Sequence, residues 1–98
     1  MDYQIQPGIE LVRICGVSLL VPDRDAMEHC SYIMRLSGFQ TATWEMLTRG
    51  KSLDEIIRVH RILSGKEEEE LRNQVGAFLD DLEKKDFLIN ERKETIAP

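Results

Sequence analysis

The side chains of this chain that could perform chemistry are few, and their spacing argues against catalysis. Cys15 and Cys30 are its two cysteines, too far apart for a metal knuckle, so both read as small buried or half-buried apolar residues in a reducing compartment. His60 has no second His, Cys or carboxylate at ligand spacing and reads as a surface or core-edge imidazole. Asp80 and Asp81 are adjacent, so on a helix they point about 100° apart and cannot act as a facing acid and base. No Gly-rich phosphate loop, His-Glu-x-x-His motif or cysteine triplet is present, and no nucleophile stands at a recognisable spacing from a base. The expectation is a binding module, not an enzyme, with no cofactor and no metal.

Size and charge agree with that expectation. With 98 residues, 42% of them hydrophobic, the chain reads as one domain over 1–98 with one modest core. A net charge of −5 disfavours tracking of a phosphate backbone, which needs Lys and Arg, so no nucleic-acid partner is expected. No run approaches the roughly 18 apolar residues of a membrane span, and the start Met1-Asp-Tyr-Gln4 lacks a basic region. A cytoplasmic protein without a membrane partner is the reading.

The elements that must position any binding surface are legible from caps and periodicity. Residues 1–8 read as a polar lead-in. Ile9 to Cys15 and Val17 to Val21 read as a hairpin turning at Gly16, ended by Pro22, which cannot donate to a ladder. Asp23 to His29 reads as a charged, mobile connector. Tyr32 to Leu36 reads as a third strand. Three Ser-x-x-Gln/Glu patterns follow, Ser37 to Gln40, Ser52 to Glu55 and Ser64 to Glu67, each read as a capping box opening a helix.

The first helix, 38–47, carries Phe39, Ala42, Thr43, Met46 and Leu47 on one side, with Trp44 beside them as a core residue, and ends at Arg49-Gly50. The second, 53–63, buries Leu53, Ile56, Ile57 and Leu63 and turns Arg58 and Arg61 outward. The third, 67–86, has Leu71, Val75, Phe78, Leu79 and Leu82 as an apolar stripe. Phe87-Leu88-Ile89 is a final apolar segment, and 90–98 is a polar, frayed tail beyond a core of about 8–89. The plan is α+β: an N-terminal three-stranded β-sheet followed by three helices, a winged helix-turn-helix.

That plan often serves DNA binding, the alternative reading as a transcription factor. The third helix, however, holds Glu67, Glu68, Glu69, Glu70, Asp80, Asp81, Glu83 and Asp86 against Arg72, Lys84 and Lys85, which repels phosphates. A strand edge offers a different use. Unpaired N–H and C=O groups along Tyr32, Ile33, Met34, Arg35 and Leu36 can accept an extended peptide as an additional strand. By period two, Tyr32, Met34 and Leu36 share one face and Ile33 and Arg35 the other. The free edge and an exchangeable N-terminal hairpin also invite a homodimer.

The ordered set Leu36-Ser-Gly-Phe-Gln-Thr-Ala-Thr-Trp44-Glu-Met-Leu47, Gly50-Lys-Ser-Leu-Asp-Glu-Ile56, Val75-Gly-Ala-Phe78-Leu79-Asp-Asp-Leu82 and Phe87-Leu88 resembles the PqqD-like family. These are peptide chaperones, the recognition elements of ribosomally made, post-translationally modified peptide pathways. The resemblance covers about Gly8 to Leu88. It departs at Ser37, where an Asn is expected, and in a longer, more charged connector after Pro22, which favours a pathway other than that of the quinone cofactor. It implies a winged helix-turn-helix that no longer binds DNA and instead holds a precursor's leader peptide for a modifying enzyme, often a radical-SAM protein. It places the leader between the third strand and the third helix, on the line Arg72, Gly76, Leu79 and Glu83, with leader apolar residues entering toward Val75 and Leu79. Arg35 and Arg72 can fork onto leader carboxylates or remain solvated. Gly76, costly in a helix interior by about 1 kcal/mol relative to Ala, fits either packing within the domain or close approach of a leader backbone. The acidic third helix suits a leader with basic residues near its apolar anchors.

Overall fold

A computed structural model describes residues 3–90. It contains five strands and three α-helices: β1 (Tyr3–Ile5), β2 (Ile9–Ile14), β3 (Val17–Pro22), β4 (Met34–Leu36), α1 (Gly38–Thr48), α2 (Leu53–Ser64), α3 (Glu68–Lys84) and β5 (Leu88–Asn90). The α+β plan, three strands in one sheet followed by three helices, is present. The sheet runs β2-β3-β4, antiparallel throughout, and β1 pairs separately with β5. No helix among the described residues is long and apolar enough to cross a membrane.

The hairpin β2–β3 turns on two residues, Cys15 at φ 51° and Gly16 at φ 78°, with Ile14 opposite Val17. Positive φ at both central positions matches the twist of the flanking strands, the geometry favoured for two-residue hairpins. Cys15 is consequently exposed at the tip, against the expectation of a buried or half-buried residue; Cys30 is buried, its Sγ 3.1 Å from the Lys85 carbonyl.

Two of the three expected capping boxes form. Ser37 and Ser52 each accept from the backbone N–H three residues on, and the Gln40 and Glu55 side chains reach back to their N–H groups. Ser64 does not open a helix. It is the last residue of α2; Gly65, at φ 71°, ends that helix in the left-handed region, and α3 starts after Glu67 without a side-chain cap. Leu63, expected in the core, lies in this last turn and is 74% exposed. The third helix also ends earlier than expected, at Lys84, because Asp86 turns to φ 64° while Phe87 N–H donates to the Leu82 carbonyl.

The stretches expected to be an unstructured lead-in and the start of a frayed tail pair with each other. Tyr3–Ile5 is a strand, and its partner is Leu88–Asn90, with Tyr3 opposite Asn90 and Ile5 opposite Leu88. The expected frayed tail beyond Asn90 lies outside the described residues. The connector 23–29 also carries structure: Asp23 Oδ1 accepts from Ala26 N–H at 2.8 Å and a short 3-10 turn spans Ala26–Glu28, with Ala26 buried. Asp23 is seated against Gly8 (φ 84°), where a Cβ would stand 2.6 Å from the carboxylate oxygen.

One core joins sheet and helices. Leu20, Met34, Leu36, Trp44, Ile56, Ile57, Leu71, Val75, Leu79, Leu82 and Phe87 belong to it, and Trp44 and Phe87 are among its largest fully buried members. At roughly 2 kcal/mol per fully buried large aliphatic or aromatic side chain, these residues dominate the stabilising side of folding.

Candidate functional site

β4 forms because alternate residues can split between core and solvent. Met34 and Leu36 are buried and Arg35 is exposed. Its inner edge pairs with β3 through Leu20, Leu19 and Ser18, and among the described residues no strand pairs with its outer edge. In an antiparallel ladder every second residue turns N–H and C=O away from the partner, so this edge presents unmatched main-chain groups. The strand is shorter than the expected Tyr32 to Leu36: Tyr32 and Ile33 lie just before it, 51% and 64% exposed.

Ser37 follows β4 directly and opens a groove between the start of α1 and one flank of α3. The groove holds about 590 Å³ and is lined by Ser37, Phe39 and Gln40, by Lys66, and by Gln74, Ala77, Phe78 and Asp81 of α3. Steps of three and four place the α3 residues on one line beside the core stripe. Phe39, Ala77 and Phe78 make it apolar at the centre. Lys66 and Asp81 put one charge of each sign on it, and Asp81 accepts from Lys85 Nζ at 3.2 Å.

The Phe39 wall is held from behind. Its ring stacks on His60 with centroids 4.1 Å apart and 26° between planes. The Thr43 hydroxyl donates to the Phe39 carbonyl at 2.9 Å and lies 2.8 Å from His60 Nε2, so Nε2 is the donor in that second bond. His60 is buried, and burial lowers its pKa. The imidazole therefore belongs to the core, as a neutral hydrogen-bonded support.

The residues anticipated for binding separate into groups. Tyr32, Ile33 and Arg35 lie exposed at or beside the β4 edge. Met34, Leu36, Val75 and Leu79 are core, at 8%, 5%, 0% and 2% exposure. Arg72, Gly76 and Glu83 are not among the groove's lining residues. Arg72 faces α2 instead: its guanidinium meets Asp54 of α2 at 2.9 Å and, within α3, Glu68 at 3.6 Å; the Asp54 hydrogen bond is the main cause of its raised pKa. Beyond its chain neighbours and its own helix backbone, Gly76 has no atom within 4 Å of where a Cβ would stand, so crowding by other elements does not explain it. Glu83 is half-buried near the end of α3. Gln74, Ala77 and Asp81 were not anticipated; their signal was the same three-and-four spacing, on the opposite side of the Leu71–Leu82 stripe.

No family model matches the chain, and no curated protein matches it by sequence. Among solved structures it is similar to TbiB1 in complex with the TbiA(beta) leader peptide, with a TM-score of 0.73 and 18% identity over 87% of this chain and 93% of that one. The two share a fold.

Proposed function

We propose that this chain is a non-catalytic adaptor that holds the leader of a ribosomally made precursor peptide and presents it to a modifying enzyme. The observations that carry the reading are the unpaired outer edge of β4 and, directly after it in the chain, Ser37 at the groove between α1 and α3. The solved structure of TbiB1 with a leader peptide, on the same fold, supports it.

The leader docks as an extended strand on β4. Main-chain pairing supplies orientation, but β4 is three residues long. At about 1 kcal/mol net per hydrogen bond, so few bonds fall short of the roughly 8 kcal/mol of micromolar binding. The remainder comes from apolar leader side chains seated between Phe39, Ala77 and Phe78. Each fully buried anchor contributes about 2 kcal/mol, less the cost of ordering the peptide. Selectivity then follows from which leader positions are apolar, with Lys66 and Asp81 able to meet one charge of either sign. A radical-SAM protein is the modifying partner that the family resemblance suggests.

The test is isothermal titration with a synthetic leader from the precursor encoded beside this chain. Binding should weaken when alternate leader amides are N-methylated, because strand addition uses every second N–H. Equal affinity for the methylated and unmethylated leader refutes strand addition.

A further inference from the structure

The outward face of α2 carries side chains that neither the core nor the groove uses. Ile62 and Leu63 are 77% and 74% exposed, and Val59 is 39% exposed. Steps of three and four residues put the three on one stripe. Arg58 lies about 40° around the helix from Ile62. Together with Arg61 it borders a notch of about 340 Å³ between α2 and α3, completed by Asp54, Glu68 and Arg72. Both acids in the notch are engaged by Arg72, and no ion pair reaches Arg58 or Arg61 among the described residues.

The face therefore joins a solvent-exposed apolar stripe to two unneutralised arginines, on a chain whose net charge is −5. Three large aliphatic side chains on one helix turn are an exposure that a partner removes favourably. A second copy of the chain is a poor occupant. Two-fold pairing lays the patch on itself, and because both acids of the notch are already engaged by Arg72, a second copy's patch brings no free carboxylate to Arg58 and Arg61. A polypeptide with carboxylates flanking an apolar stripe satisfies both features at once.

We propose that this α2 face docks an acidic amphipathic helix of a partner protein, its apolar residues on Val59, Ile62 and Leu63 and its carboxylates on Arg58 and Arg61. Arg is suited to the role, since its planar guanidinium can take a carboxylate with two parallel hydrogen bonds. In the adaptor reading the partner is the modifying enzyme. The docking does not depend on that reading, because α2's outer face is separate from the groove.

The experiment titrates the full ¹⁵N-labelled chain with a synthetic helical peptide bearing a Leu stripe flanked by Glu, a matched peptide with Lys for Glu, and a short DNA duplex. The Glu peptide should give saturable amide shifts confined to 58–64 and 68–72, and the Lys peptide none. Affinity should fall about tenfold or more in Ile62→Glu and in the Arg58→Glu/Arg61→Glu double variant, as expected for central interface anchors. Both variants change exposed positions, and an unchanged Tm confirms that each is folded; Ile62→Ser serves as a second, uncharged probe of the stripe. An equal response to the Lys peptide, shifts centred on 37–40 and 74–81, or undiminished binding in the variants overturns the proposal. So does stronger perturbation of the same amides by the duplex at physiological salt, or a sedimentation dimer that Ile62→Glu abolishes. Leader titration on the same variants should be unchanged, so failure of the groove reading and failure of the α2 reading are separately visible.

Discussion

On the flank of α3 that faces α2, Arg72 is held by Asp54 and Glu68; on the other flank, Gln74, Ala77 and Asp81 border an open groove beside the start of α1. Both flanks adjoin the same buried stripe, and both are polar in sequence. What separates them is the neighbouring element. α2 supplies Asp54, which with Glu68 of α3 itself closes that side with ion pairs, while the start of α1 supplies Phe39 and leaves its side unfilled. A helix's capacity to receive a ligand is here decided by what packs next to it, and a substitution's effect should depend on its angle around the helix more than on its position along it.

The hardest break of that comparison is Leu79→Glu, in the stripe itself. At 2% exposure an unpaired carboxylate costs about 4 kcal/mol or more, a large part of the 5–15 kcal/mol that holds a domain folded. Urea unfolding should show the variant largely unfolded before denaturant is added. Next, Ala77→Trp fills the groove from an exposed position, and titration should show leader affinity reduced about tenfold or more with Tm retained. Gly76→Ala, with open space where its methyl enters, should stabilise the helix by about 1 kcal/mol in urea melts and leave leader affinity unchanged.

His60 sharpens the comparison through pH. Its pKa in the folded chain lies below the ordinary 6.5, because burial disfavours the imidazolium, so the unfolded chain binds the proton first as pH falls. The stability that comes from keeping His60 neutral is complete above that ordinary value and drains away as pH drops through it toward the folded value. Urea midpoints at about pH 7.5 and about pH 5.5 should differ more for the wild type than for His60→Gln. The smallest effect is expected of Arg72→Ala. Its ion pairs are solvent-exposed, so both the urea midpoint and leader affinity should barely move. A strong loss of leader binding there would transfer the site to the α2 flank.

What was legible in the sequence was local. Ser37 and Ser52 declared α1 and α2 because a capping box is satisfied within four residues. Ser64 misled because Ser-Gly-Lys-Glu reads equally as a helix start and as a helix end, and the left-handed Gly65 decides for the end. β1 and β5 were missed because neither three-residue strand has a pattern of its own; each is specified by the other, across more than 80 residues. The β4 edge was visible as a short apolar run before a cap. The flank of α3 beside the groove was not, since periodicity fixes which stripe is buried and is silent on which side a neighbour covers.

The β1–β5 pairing has a mechanical consequence. Tyr3 and Asn90 face each other at its outer end, and Ile5 and Leu88 at its inner end. Tension applied through residues 3 and 90 would load the rungs in succession, as in opening a zip, and so meet little resistance at first. Resistance should rise once the pull reaches Phe87 and Leu88, which are anchored in the core at 0% and 3% exposure.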